Sequence, residues 1–225
     1  MPQDTILTLG VLGGTGKEGL GLALRWAQAG YAVLIGSRDA SRAQAAADSL
    51  NDRLARDVVV HGMSNVDAAR ACDIAVLTVP YEAQRDTLES VKDALQGKIL
   101  VDVTVPLQPG IRRRVHLPPG GSAGAEAQAI LGEGVKVVSA FQNIACNRLS
   151  DLDAAIDSDV LVTGNDRDAK QQVIALARAA GMQAFDAGPI ENAVVAEALA
   201  SALININARH KVTSAGIRIT GVPKT

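Results

Sequence analysis

A cluster of glycines stands where an apolar run gives way to a helical pattern, and few arrangements restrict a fold as much. Residues 9–21 read Leu-Gly-Val-Leu-Gly-Gly-Thr-Gly-Lys-Glu-Gly-Leu-Gly, in which Gly14, Gly16 and Gly19 fit the spacing G-x-G-x-x-G. The apolar residues 6–12 come before it, and Leu20, Leu22, Ala23, Leu24, Trp26 and Ala27 follow at helical intervals. Strand, glycine turn and helix in that order form the dinucleotide fingerprint. One glycine permits the tight turn, one lets the backbone approach a pyrophosphate, and one lets helix and strand pack closely. The start of the helix then offers free N–H groups and a partial positive charge to the phosphates.

The rest of the chain continues the alternation. Strand-like runs are expected at 6–12, 32–35, 58–61, 74–78, 99–103 and 135–140. Helical patterns lie between most of them, at 17–29, 41–54, 66–71, 82–95 and 125–131. Continuous apolar strands joined by helices predict a mostly parallel, doubly wound sheet of the Rossmann type. A further strand at 160–163, a helix at 168–180, a short strand at 183–186 and a long helix from about 192 to 208 extend it. The expected division is a nucleotide-binding domain over 1–150. Residues 151–225 then form a sheet extension and small helical subdomain that completes the substrate site. Gly30 and Gly97 suit helix C-caps, Ser41 suits the N-cap of the second helix, and Pro80 bars continuation of the fourth strand. The stretch 106–124, with Pro106, Pro109, Pro118 and Pro119, predicts a long loop.

Composition narrows the partners. Aromatic residues make up 2% of the 225, so the core must be built from Ala, Val, Leu and Ile. The formal net charge of -2 gives no reason to expect nucleic acid or an anionic membrane as partner. No apolar run approaches the ~20 residues of a membrane span. The first residues lack the basic start and apolar stretch of a signal peptide, so a cytoplasmic location is expected. Cys72 and Cys146 match no metal spacing, and His61, His116 and His210 form no ligand set; no metal site is expected.

The end of the second strand selects the nucleotide. A site for NAD places an acid there, on the ribose 2′-hydroxyl. This chain has Gly36-Ser37-Arg38, with Arg42 one helical turn on. A hydroxyl and a guanidinium suit a 2′-phosphate, and the expectation is NADP rather than NAD. The alternative is that Arg38 and Arg42 are solvated and that Asp39 pairs one of them. A proton donor for carbonyl reduction is harder to find. Tyr31 lies in a strand, and Tyr81 is followed four residues on by Arg85, not by the Lys of a Tyr-x-x-x-Lys pair.

Five segments taken together, Leu12-Gly-Gly-Thr-Gly16, Gly36-Ser-Arg38, Cys72-Asp-Ile-Ala-Val-Leu-Thr-Val-Pro80, Val137-Val-Ser-Ala140 and Asp186-Ala-Gly-Pro189, resemble the NADPH-dependent coenzyme F-420 reductases. The resemblance runs through nearly the whole chain, to the Asn-Ile-Asn helix and Gly216-Ile-Arg218. It implies direct hydride exchange between NADP(H) and the 8-hydroxy-5-deazaflavin of coenzyme F-420, with the protein aligning two rings and no catalytic side chain required. By position, it implies that Gly14, Thr15, Gly16, Lys17, Glu18 and Gly19 line the pyrophosphate turn. Ser37, Arg38 and Arg42 hold the 2′-phosphate, while Thr78, Val79, Pro80 and Val105 border the nicotinamide. Gln142, Asn143, Ile144, Ala145 and Cys146 stand where the rings meet, and Ala215, Gly216 and Ile217 close over the deazaflavin. The chain departs from the family at Gln142-Asn143-Ile144-Ala145, where relatives carry His-Thr-Ile-Pro, and near Ala215, where they carry a larger apolar residue. An amide at Gln142 keeps the ability to donate and accept toward the ring.

Arg112, Arg113 and Arg114 are either a steering patch for an anionic tail or a solvated cluster. Asn205 and Asn207, on an otherwise apolar helix, point to a buried hydrogen-bond network or a subunit contact, and the long helix suits a symmetric homodimer. Two other functions fit the same fold: NADPH-dependent reduction of a small imine or enone, and a non-catalytic module that senses NADP redox state.

Overall fold

The computed structural model describes residues 6–55, 58–108, 110–111 and 114–222, so Arg112 and Arg113 lie outside the described residues. Eight strands form one sheet: β1 (Thr8–Leu12), β2 (Ala32–Ser37), β3 (Val60–Ser64), β4 (Ile74–Leu77), β5 (Ile99–Asp102), β6 (Lys136–Ser139), β7 (Val160–Gly164) and β8 (Ala184–Asp186). Their spatial order is β3-β2-β1-β4-β5-β6-β7-β8. All neighbours run parallel except β6 and β7. Over the first six strands this is the Rossmann order, and the chain reverses its direction of winding between β1 and β4. The doubly wound, mostly parallel sheet expected from the sequence is what is found.

Period-two alternation feeds both faces. Leu9, Val11, Val33, Ile35, Ile74, Val76 and Val101 enter one core with Leu22, Trp26 and Ala27 of α1 (Lys17–Gln28), Ala43 and Ala47 of α2 (Ala40–Asn51), and Val173 of α7 (Arg167–Ala179). Leu12, Leu34, Ala75, Leu77, Leu100 and Val137 enter the other. They meet Ala68 of α3 (Asn65–Ala71), Leu88 of α4 (Gln84–Val91), Leu131 of α5 (Ala123–Leu131) and Ala193 of α8 (Ala193–His210). Val160, Val162 and Val173 share the first core with Leu9.

Three boundaries differ from expectation, each for a local reason. Asp39, not Ser41, caps α2: its carboxylate accepts from the backbone N–H groups of Ser41 and Arg42, and an ionised acceptor wins over a hydroxyl two residues later. The third strand is displaced to Val60–Ser64, running through Gly62. A Cβ at Gly62 would strike the backbone of Ala43 and Gln44, so this glycine marks where α2 crosses the strand. The helix expected over 82–95 is divided into a 3-10 turn (Tyr81–Ala83), α4 and a second 3-10 turn (Asp93–Leu95). Among the described residues between 106 and 122, turns and one isolated antiparallel bridge, Leu107 to Val115, are found.

One buried cation locks the C-terminal half in place. Arg25, on α1, donates to the carbonyl oxygens of Leu149 (3.0 Å), Ala180 (3.2 Å), Arg148 (2.8 Å), Asp151 (2.6 Å) and Ala154 (3.1 Å). Burial lowers its pKa, and the Asp151 charge opposes that shift. Beside it, Trp26 donates from its indole to Leu176 O at 2.9 Å and meets Phe141 edge-on, with ring centroids 5.8 Å apart. The short helix α6 (Cys146–Leu149), which the sequence reading missed, lies against α1 through these contacts.

Candidate functional site

A cavity of about 510 Å³ opens at the carboxyl ends of β1 and β4, where the direction of winding reverses. That size falls within the ~300–1,000 Å³ of ordinary small-molecule sites. Its walls run from Ser37, Arg38, Asp39 and Arg42 at one end, past Gly13, Thr15, Gly16, Lys17 and Glu18, to Thr78, Val79, Pro80, Val103, Val105, Phe141 and Gln142.

The glycine turn is pinned from three sides. Gly13 N–H donates to Asn65 Oδ1 at 3.0 Å, Gly14 N–H to Gly36 O at 3.0 Å, and Thr78 Oγ1 to Leu12 O at 3.1 Å. Gly13 has φ 67° and lies against Val79, so both its backbone and its surroundings require glycine. Gly16 is different. Its φ of -82° suits any residue, and an added Cβ would meet no protein atom within 4 Å. Nothing in the protein demands a glycine there; an anion seated on the turn would. Gly16 is also the N-cap of α1 and supplies no side-chain hydrogen bond, so the first N–H groups of a 12-residue helix stay open toward the cavity.

At the far end, Ser37 is buried while Arg38 and Arg42 are exposed. Among the described residues no salt bridge engages either guanidinium. The Asp39 carboxylate is held instead by Ser41 N–H (2.9 Å), Ser41 Oγ (2.6 Å) and Arg42 N–H (3.3 Å). The Ser41 hydroxyl first, then those amides, holds its pKa below the usual range.

The opposite end is built from side chains distant in sequence. Gln142 donates from Nε2 to Asp102 O (2.8 Å) and Ser139 Oγ (2.7 Å). Asp102, wholly buried, accepts from Gln84 Nε2 (2.6 Å) and Thr104 N–H (2.8 Å). Burial pushes its carboxyl up to about 6 against those donors. Gln84 also reaches Ala123 O at 3.0 Å. Glu197 of α8 accepts from the N–H groups of Ala123 (2.9 Å) and Gly124 (3.0 Å), and burial raises it to about 7. Phe141, just before Gln142, sits at φ 77° while fully buried. An aromatic residue in that region carries roughly 1–3 kcal/mol of strain, a common feature at ligand sites.

Of the residues singled out in the sequence, Thr15, Gly16, Lys17, Glu18, Ser37, Arg38, Arg42, Thr78, Val79, Pro80, Val105 and Gln142 share this one cavity. Gly14 and Gly19 lie behind it, where an added Cβ would strike Val11 O and Thr78 Oγ1. Asn143 and Ile144 are turned into the protein. Asn143 Nδ2 donates to Asp159 O at 2.8 Å, and Ile144 joins the core beside α1. Cys146 starts α6, close enough to Glu18 and Lys17 to feel both charges, after burial itself raises its pKa. Ala215, Gly216 and Ile217 lie alongside residues 157–159: Ile217 N–H donates to Ser158 Oγ at 3.3 Å, and Asp159 N–H to Ile217 O at 2.8 Å. Ala215 borders a separate small cavity of about 70 Å³ with Ala145, Arg148 and Ser158. Asn207 holds this tail through Ala215 N–H (2.9 Å), while Asn205 donates to Ser201 O of its own helix (3.0 Å). The sequence reading missed Asn65, Val103 and Phe141.

Fold and cavity together define a dinucleotide-binding oxidoreductase of the Rossmann class. The comparisons place the chain more narrowly. The family model for coenzyme F-420-dependent NADP oxidoreductases matches residues 8–106. The F-420-dependent NADP reductase of Methanothermobacter marburgensis is 42% identical over 224 residues, covering 97% of this chain and 100% of the relative. That of Methanocaldococcus jannaschii is 40% identical over 223 residues, covering 96% and 99%. A solved protein from Arthrobacter sp. FB24 matches with a TM-score of 0.81 at 28% identity, covering 95% of this chain and 99% of that one. The chain belongs to the F-420-dependent NADP reductase family. Among the described residues no helix is long and apolar enough to cross a membrane.

Proposed function

We propose that this protein is an oxidoreductase that transfers a hydride directly between NADP(H) and coenzyme F-420. The observation that carries the reading is one continuous cavity. It joins an uncapped helix start and two unbridged arginines to an apolar end floored by a buried amide. Relatives matched over nearly their full length, named F-420-dependent NADP reductases, support the choice of partners.

Thr15, Gly16 and Lys17 take the pyrophosphate; Ser37, Arg38 and Arg42 take the 2′-phosphate. Thr78, Val79, Pro80 and Val105 border the nicotinamide, with Gln142 at its edge. NADPH supplies the hydride and the deazaflavin accepts it, with one proton from water completing the reduced ring. The chain's own task is to orient and to shield. Apolar Val79, Val103, Val105 and Phe141 keep water from the reacting faces, and alignment alone accounts for ~7–11 kcal/mol of barrier lowering in well-oriented systems. The deazaflavin is assigned to Ala145, Cys146 and residues 215–217, which border the separate small cavity or the segment leading to it, and residues 151–225 complete the substrate site begun by 1–150. Asn143 and Ile144 set the course of that segment from within the core.

Mixing the protein with NADPH and oxidised F-420 tests the reading. Loss of deazaflavin absorbance, much faster with NADPH than with NADH, is expected. Tight NADPH binding with turnover only on an imine or enone would replace the reading with the other reductase activity. Homodimer formation belongs to the same proposal. Val195, Ala202 and Ile206 leave an exposed apolar stripe along α8, suited to its copy, and sedimentation at micromolar concentration is expected to give twice the 23.3 kDa chain mass.

A further inference from the structure

Two acceptors just behind the surface of the cavity lack partners among the described residues. Glu18 Oε1 and Gln142 Oε1 are both buried, both belong to cavity-lining residues, and neither receives a hydrogen bond. Gln142 cannot turn to relieve its own, because Nε2 is held by Asp102 O, which only accepts. Glu18 stands on the first turn of α1, on the side facing α6, since Cys146 feels its charge. The charged and titratable groups around it are Lys17 on its own helix, the Cys146 thiol on α6, and Arg38, Asp39 and Arg42 at the far end of the cavity. None forms a salt bridge with it among the described residues. A carboxyl left this way favours its neutral form, and burial pushes Glu18 up to about 8.

An occupant that satisfies both groups carries a positive charge and an N–H donor. The oxidised nicotinamide has both, a pyridinium charge and a carboxamide; the reduced ring keeps the carboxamide and loses the charge. We propose that Glu18 makes the site discriminate the oxidation state of the nicotinamide: its carboxylate is the counter-charge of the oxidised ring, while Gln142 Oε1 receives the carboxamide N–H common to both forms. The proposal rests on the NADP(H) reading above. By linkage, NADP+ binding draws the proton from Glu18 and NADPH binding does not. Preference for the oxidised form also makes the bound nucleotide a stronger hydride donor than the free one, favouring transfer toward the deazaflavin.

Calorimetric titration with NADP+ and with NADPH, from pH 6 to 9 and in buffers of different ionisation enthalpy, reads this without turnover. Below pH 8 the protein is expected to release protons on NADP+ binding only, and the NADP+ to NADPH affinity ratio should rise with pH until it levels above about 8. In Glu18→Gln the proton release disappears and the ratio falls about tenfold at pH 9, with NADPH affinity falling much less than that of NADP+. Glu18→Leu, which fills the same apolar surroundings, should behave alike. Gln142→Leu should weaken both forms equally. A ratio indifferent to Glu18→Gln, or equal loss of both nucleotides in a folded Glu18→Gln protein, overturns the proposal. Failure of the unaltered protein to bind either nucleotide overturns the NADP(H) reading itself.

Discussion

The two ends of the cavity are made by different means. The phosphate end consists of backbone N–H groups, a hydroxyl and two guanidiniums, contributed by 13–17 and 37–42. Its acid, Asp39, is satisfied by neighbours in sequence, which hold its pKa below the usual carboxylate range. The nicotinamide end gathers side chains from β1–α1, β4, β5 and β6, contains two unpartnered acceptors and a strained Phe141, and rests on acids whose pKa values are raised. One end offers donors and positive charge to an anion; the other offers acceptors and protonated acids.

Gly16 gives the largest expected effect on that contrast. Valine there meets no protein atom with its Cβ, and the backbone angles already suit it. Thermal unfolding of Gly16→Val should show a loss within about 1 kcal/mol, the scale of exchanging an N-cap. Its side chain nevertheless occupies the anion's seat, and NADPH affinity should fall more than ~100-fold, the consequence of blocked backbone approach. Gly13→Ala serves as the contrast, because positive φ and the nearby Val79 make that change destabilising before any ligand is added. Equal stability losses at the two positions would show that Gly16 serves the fold rather than the ligand.

Much of the phosphate end was legible in the sequence because its parts are local. The glycine spacing, the strand before it and Ser37-Arg38 lie within 30 residues of one another, and the doubly wound sheet follows from the alternation of apolar runs. Local reading still chose Ser41 over Asp39 as the cap, since both are good capping residues and only geometry ranks them. At the phosphate end one support was hidden: Asn65, which pins the glycine turn, looks like any helix-start amide until its side chain is seen on Gly13 N–H, 52 residues away. The nicotinamide end was less legible. Phe141 carries no sign of positive φ, and Asn143 reads as a site residue next to Gln142 although it faces inward. Asp102 offered one usable signal, an acid ending an apolar strand at the carboxyl edge where such sheets bind ligands.

Arg38→Ala gives the next largest effect and separates the halves by chemistry. A charge-assisted contact to phosphate is worth about 2 kcal/mol, so NADPH should bind about thirtyfold more weakly in this variant. NADH, which lacks the 2′-phosphate, should be indifferent, and so should the NADP+ to NADPH ratio, which belongs to the other end. Equal weakening of NADPH and NADH would remove Arg38 from the 2′-phosphate.

The smallest expected effect is on stability, and its sign differs between the ends. Glu18, Glu197 and Asp102 have folded pKa values of about 8, 7 and 6, each raised chiefly by burial from 4.5, 4.5 and 3.8. Between those limits the folded protein holds more protons than the unfolded chain, so stability falls as pH rises through the window. Asp39, with a lowered pKa, acts oppositely and only at lower pH, where acidification removes its contribution. The melting temperature without nucleotide should therefore be highest near pH 5 and decline toward pH 9. Glu18→Gln should flatten the part of that decline lying nearest pH 8, since the amide has no proton to lose. A melting temperature that instead rises between pH 6 and 9 would mean that the acids of the nicotinamide end are ionised in the empty protein. The contrast between an end of donors and an end of protonated acids would then be lost.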